Sequence, residues 1–169
     1  LAGALAASKA QRRRVLFIDA ETPMPDQNSG SNDALNMMLI FIEMGYQVTF
    51  VPESNFSHRG RYTDDLLDLG IGAVWFPYHK TVKDVLAEAA AELGVVVLCR
   101  GEIATKYIEL VRKLAPRAKI IFNAVDLHFL RLEREAELSS DYKLRRAAVA
   151  LRLSELDAVR NADATIVVS

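Results

Sequence analysis

The tract Val125-Asp126-Leu127-His128-Phe129-Leu130-Arg131 sets a carboxyl, an imidazole and a guanidinium within a few residues of one another. An imidazole beside a carboxylate can carry a proton, donate a hydrogen bond to an oxyanion or orient sugar hydroxyls. If a helix follows, His128, Arg131 and Glu135 share one face, where Arg131 can pair with Glu135 or meet a phosphate. The same residues also suit a salt-bridged surface. Asp126 and His128 are candidates for catalysis, and Arg131 for substrate binding, only if a strand delivers them to a crevice.

A second tract runs from Asp19 to Asp33 and contains Pro25-Asp26-Gln27-Asn28-Ser29-Gly30-Ser31-Asn32. It is long for a strand-to-helix connection, and long loops in compact domains are often functional. Gly30 allows close backbone approach, Ser31 or Asn32 can cap the next helix, and a helix N-terminus is a natural anion site. Asp26 and Asp33 would repel phosphate, whereas their oxygens suit hydroxyl donors such as those of a sugar. The alternative is a plain capped turn with solvated acids.

Further polar groups follow other strand candidates: His58, Arg59 and Arg61; Tyr78, His79 and Lys80; Arg100, Gly101 and Glu102. Of these Arg100 is the candidate for substrate binding. Neither a G-x-G-x-x-G nor a G-x-x-x-x-G-K-[ST] loop is present, so nicotinamide and P-loop nucleotide chemistry lack their usual signature. No G-x-S-x-G elbow supports a hydrolase. The three histidines, without clustered cysteines, do not make a metal site.

These residues need a scaffold, and the pattern supplies one. Met44-Gly45, Leu69-Gly70 and Leu93-Gly94 each follow a helix-like segment and precede a β-rich run, as a helix-closing C′ glycine would. Strands are expected near 14–19, 46–51, 73–76, 95–99, 118–123 and 164–168. Several are continuous apolar runs, which suit parallel strands covered on both faces. Helices are expected near 33–44, 61–69, 81–93, 102–114 and 142–161. The alternation predicts an α/β fold: a Rossmann-like, doubly wound, mostly parallel sheet with helices on both faces. The helix near 33–44, apolar almost all round, is expected to be buried on both sides, or else to face a partner domain or membrane surface.

Length and composition agree with one globular domain over 13–169, with residues 1–12 poorly ordered ahead of it. A net charge of −1 gives no field to draw nucleic acid, which is not an expected partner. No apolar run approaches the ~20 residues of a membrane span. The lone Cys99, at the end of Val95-Val96-Val97-Leu98, reads as a buried thiol in a reducing cytoplasm. The opening LAGALAASKAQRRR has its basic residues after its apolar ones, the reverse of a secretory signal, and none is expected. A first residue of Leu is what a piece of something longer would show.

The opening strand followed by PDQNSGSNDALNMM, the tract VDLHFLRLEREAEL and the closing SELDAVRNADATIVVS resemble the N-terminal half of GT-B retaining glycosyltransferases. More narrowly, they resemble the bacterial group 1, family 4-like enzymes that build surface polysaccharides. The likeness covers roughly residues 13–169. It implies that Gly30 and Ser31 lie at the cleft between two Rossmann-like domains, and that His128 borders it near the transferred sugar. Glu155, Ala162, Asp163 and Ser169 match the family's last helix and strand before the chain crosses to the second domain, with Glu155 and Asp163 structural.

The resemblance further implies a nucleotide-sugar donor and a glycan or lipid-linked acceptor, with no metal or other cofactor. It leaves room for peripheral association with the inner face of the membrane. In that family the donor pocket belongs to a C-terminal domain, so this chain alone is expected to be inactive. The alternative is a non-catalytic binding or receiver-like regulatory module, faintly suggested by Asp19. A receiver also needs an acid after its third strand and a Lys after its fifth. Ala73-Val74-Trp75-Phe76-Pro77 supplies no acid, and Asn123 stands near the place of the Lys.

Overall fold

Val15, Leu16, Phe17 and Ile18 are all fully buried in the first strand, β1 (Arg14–Asp19). Alternate side chains of a strand point to opposite faces, so total burial means that both faces are covered. Leu16 and Ile18 join a core with Val85, Leu86, Ile103, Ile108 and Ala158. Val15 and Phe17 join a second core with Met38, Phe50, Leu66 and Ile71. The computed structural model describes residues 14–54, 56–125, 127–139 and 141–167. The expectation about residues 1–12 lies outside these.

The other strands are β2 (Gln47–Pro52), β3 (Gly72–Ala73), β4 (Leu93–Cys99), β5 (Lys119–Asn123) and β6 (Ala164–Ile166). The helices are α1 (Ser29–Glu43), α2 (Arg61–Asp68), α3 (Val82–Ala89), α4 (Gly101–Leu114), α5 (His128–Ser139) and α6 (Tyr142–Asn161). The sheet order is β3-β2-β1-β4-β5-β6, and every pairing is parallel. Helices α1 and α2 cover one face, while α3, α4 and α6 cover the other. This is a doubly wound Rossmann-like fold. Its strand order reverses between β1 and β4, where open α/β sheets form a crevice beyond the carboxyl ends.

Several expected boundaries are corrected. Gly45 and Gly70 do close helices, with φ of 81° and 78°. Gly94 does not: α3 ends at Ala89, and Leu93 and Gly94 already belong to β4. The register slips there, Arg14 pairing with Leu93 but Val15 with Val95, and a glycine suits such a bulge. The strand expected over 73–76 shrinks to Gly72–Ala73. Among the described residues β3 pairs with β2 alone, and Pro77 brings no amide. Trp75 leaves the sheet to pack edge-on against His58 (5.1 Å) and Tyr78 (5.8 Å). Helix α1 is buried at Ser31, Ala34 and Met38, but Ile40 is 55% exposed, so burial on both sides is not met.

The last strand is held by a carboxylate. Asp163 accepts from the Ile120 amide (2.9 Å), Arg112 Nη2 (2.8 Å) and Lys119 Nζ (3.0 Å), while its own amide donates to Ile120 O (2.8 Å). The Ile120 amide, then Lys119 and Arg112, hold its carboxyl down from an ordinary 3.8 to about 2 against the opposing effect of desolvation. The resulting stabilisation is complete at neutral pH, where folded and unfolded chains are both ionised. It falls as pH drops below about 4, because the unfolded chain takes up the proton first, and it is gone below about 2. Asp163→Asn should flatten the acid limb of stability between pH 4 and 2. At pH 7 it should cost about 1 kcal/mol, a modest figure because the two cations are partly exposed. Urea melts of both proteins across that pH range check this. Parallel pH profiles would overturn it.

Candidate functional site

At the point where the strand order reverses, β1 ends in Asp19 and β4 runs into Arg100. Arg100 Nε donates to Asp19 Oδ1 at 2.7 Å, and the Ala20 amide donates to the same oxygen at 2.7 Å. The Asp19 side chain is only 6% exposed, whereas that of Arg100 is 36% exposed. Arg100 adopts φ 75°, ψ 148° and caps α4 without a side-chain cap bond. That backbone region is nearly glycine-only and costs of order 1–3 kcal/mol. It is held by the ion pair and by the Arg100 amide donating to Asn123 O (2.8 Å). Two other non-glycine residues with positive φ, Phe56 (42°) and Val125 (53°), follow β2 and β5. All three therefore lie beyond carboxyl ends of the sheet, where strained backbone tends to cluster in functional sites.

The long loop after β1 is laced internally. Asn28, and neither Ser31 nor Asn32, caps α1: its Oδ1 accepts from the Ser31 amide at 2.8 Å. Helix α1 thus begins earlier than expected, with Gly30 and Ser31 in its first turn. Ser31 is buried, and its Oγ accepts from the Met24 amide (2.9 Å). Asn32 Nδ2 donates to Pro25 O (2.8 Å). These polar groups fold the loop back on the helix, and Asp26 is held by Arg61 and Tyr62 from α2. A Cβ placed on Gly30 would meet Val125 Cγ1 at 3.5 Å and Asn28 Oδ1 at 3.7 Å, ordinary contact distances. Gly30 thus marks where the β1–α1 and β5–α5 loops touch, but protein packing alone would admit alanine.

Beyond β5, His128 opens α5 and is half-buried, while Arg131 is exposed one turn on. Asp126 lies outside the described residues. Arg131 and Arg134 line a cavity of about 480 Å³ together with Val125 and Val167. Behind this edge Glu155 of α6 is 1% exposed, and its Oε2 accepts from the Phe129 amide (3.4 Å). The same carboxyl group packs on Gly101, where a Cβ would stand 2.7 Å from Glu155 Cγ and 2.8 Å from Oε1. One buried side chain thereby ties the start of α4 to the start of α5. Asp163 and Glu155 both serve as structural links in the fold.

Two features escaped the sequence reading. Glu53, just past β2, accepts from Lys106 and from the Tyr107 hydroxyl (2.8 Å). The Lys106 hydrogen bond, helped by Tyr107, holds the Glu53 carboxyl below its usual range, although partial burial opposes this. Its position directly after an apolar strand was the available signal. The other is the Asp19–Arg100 pair, which becomes visible only once β1 and β4 are known to be neighbours. Of the remaining candidates, Arg59 pairs with Glu21 (3.3 Å), His58 with Asp64 (3.0 Å) and His79 with Glu88 (3.0 Å). Burial, then the neighbouring Asp19 charge, pushes the Cys99 thiol far above its usual range, which suppresses the reactive thiolate.

Among the described residues no group of three or more His, Cys, Asp or Glu side chains is placed to hold a metal ion. No described helix is long and apolar enough to cross a membrane. The fold and its crevice define the chain as a Rossmann-like α/β domain. Comparison with known protein families, curated proteins and solved structures found no significant match to it.

Proposed function

We propose that this chain is the N-terminal, acceptor-side domain of a GT-B glycosyltransferase, one wall of a cleft whose opposite wall binds a nucleotide sugar. One observation carries the reading. Two of the three tracts that bear the family resemblance, 25–38 and 125–138, meet at the carboxyl edge of the sheet, where Gly30 abuts Val125. In such folds that edge receives the ligand. His128 would then orient or polarise groups of the transferred sugar, and Arg131 and Arg100 would meet anionic parts of the substrates. The receiver-like alternative is weakened by the strand order, because receivers follow 2-1-3-4-5. It is weakened again by Asp19, whose carboxylate is occupied by Arg100.

The reading is tested on the full-length protein that contains this domain, assayed for sugar transfer from a panel of nucleotide sugars. His128→Ala should lower kcat about a hundredfold, the scale of a positioned proton carrier, with Tm almost unchanged. Absence of transfer from every donor, or matched losses of activity and stability, would sink it. The 169-residue chain alone should show no micromolar nucleotide-sugar binding, and finding such binding would contradict the division of labour.

A further inference from the structure

Helix α6 turns an apolar stripe to solvent. Tyr142, Val149 and Leu153 are 72%, 56% and 63% exposed. Their spacing, continued by Arg160, returns to one side of a helix, so the four side chains form a line about 27 Å long. The opposite side of α6 is the packed one, with Ala148, Glu155 and Ala158 buried. Its neighbours lie to the sides: Arg152 Nη1 reaches Glu133 of α5 at 3.4 Å, and Ser154 Oγ meets Thr105 Oγ of α4 at 2.9 Å. Arg146 and Asp157, both exposed and about three turns apart, flank the stripe along one edge. Among the described residues neither is ion-paired within the chain. Exposed apolar stripes with a charged rim mark interaction surfaces.

An apolar line whose edge carries a cation towards one end and an anion towards the other is complementary to itself when reversed. Two α6 helices laid antiparallel, with a twofold axis passing between Val149 and Leu153, set Val149 of each copy against Leu153 of the other. The same register brings Tyr142 opposite Arg160, a cation–π pairing. It also places Arg146 within about one residue, ~1.5 Å along the axis, of the level of Asp157. A twofold axis across the helices keeps like edges together, so both Arg146–Asp157 pairs fall where the two edges meet. We propose that this face of α6 docks a second copy of the chain in an isologous dimer, apolar at its centre and ion-paired at its edge. An anionic membrane is the other surface that exposed apolar and basic residues could meet, but Asp157 would then face the lipid phosphates. The dimer does not depend on the glycosyltransferase reading.

Sedimentation equilibrium of the 169-residue chain at ~1 to ~200 µM tests this, with a dissociation constant on the order of 10 µM expected for a small interface at the weak end of the specific range. Leu153→Glu sets a carboxylate from each copy at the apolar centre and should abolish dimerisation over that range. Arg146→Asp and Asp157→Arg each oppose like charges twice per dimer, so either should weaken it at least about tenfold. The double variant Arg146→Asp/Asp157→Arg reverses both pairs and should return to within about threefold of the parent. All three positions are exposed, so the variants are expected to fold, and circular dichroism checks this. A second arm sediments the chain with vesicles of phosphatidylserine and phosphatidylcholine. A chain that is monomeric throughout, a Leu153→Glu dimer as tight as the parent, or a double variant no tighter than the single ones would overturn the dimer surface. So would a chain that stays monomeric and sediments with the vesicles.

Discussion

Gly101→Ala should destabilise this domain by about 2–3 kcal/mol, although alanine is the better helix former. Gly101 is the first residue of α4, and a Cβ there would lie 2.7 Å from Glu155 Cγ, 2.8 Å from Oε1 and 3.2 Å from Cδ. Glu155 is 1% exposed and cannot swing into solvent. Its Oε2 also accepts from the Phe129 amide, so any shift strains the start of α5 as well. Overpacking of this kind usually costs 1–3 kcal/mol, which at this chain length lowers Tm by roughly 2–12 °C. The mechanism makes a sharper prediction in a second background. Glu155→Ala is itself destabilising, because it leaves a cavity and an unpaired amide, but it clears the space above Gly101. Adding Gly101→Ala there should be neutral or stabilising, up to the ~1 kcal/mol by which alanine outranks glycine in a helix. A double-mutant cycle by urea denaturation reads the reversal of sign. Equal costs in both backgrounds would show that the Glu155 contact is not the cause.

The contrast between what the residue pattern revealed and what it hid follows from the range of the interactions. Strands β1 and β4 were legible because their continuous apolar runs suit burial on both faces, whereas the similar run of β6 lies at the sheet edge with Ile166 exposed. The helix ends at Gly45 and Gly70 were legible because a left-handed residue is required locally. Leu93-Gly94 carries the same two residue types as Leu69-Gly70 and deceived for that reason, since nothing local separates a C′ glycine from a glycine at a bulge. The start of α1 was expected at Ser31 or Asn32, whereas the cap is Asn28. All three can cap, and what decides is the Ser31 hydroxyl turning back to Met24.

The site was legible only in halves. The tracts 19–33 and 124–135 could each be singled out, but their contact through Gly30 and Val125 depends on the order of strands. Glu155 sits in line with Ala148 and Ala158 on the buried stripe of α6, and a carboxylate between two alanines was the faint mark of its burial. Its partners, Gly101 and the Phe129 amide, are set by how α4 and α5 pack, which no local pattern encodes.

Arg100→Ala should be the costliest loss of a charge in this domain, at about 2–4 kcal/mol. The expense lies less in the missing guanidinium than in what remains. Asp19, with 6% of its side chain exposed, would keep the Ala20 amide but lose its cation. Uncompensated buried charge costs about 3–5 kcal/mol, here reduced because Arg100 is itself partly exposed and its removal lets water in. Asp19→Asn in the same molecule should recover a large share, since the amide oxygen still accepts from Ala20 without bringing a charge. Additive losses in that double variant would mean that the pair is not coupled.

Arg100→Lys separates the fold from the function. Nε holds Asp19, while the side chain is partly exposed beyond the carboxyl end of β4, so its other nitrogens can meet a ligand at the same time. A lysine ammonium is a single point charge and cannot span both tasks with the same geometry. The lysine variant should therefore regain most of the stability lost in Arg100→Ala, yet, on the proposed glycosyltransferase reading, the KM for substrate should remain raised. If lysine restores both, Arg100 acts only as a structural counter-ion. If it restores neither, the planar guanidinium is needed to hold Asp19 itself, and the strained backbone at residue 100 exists to place that group.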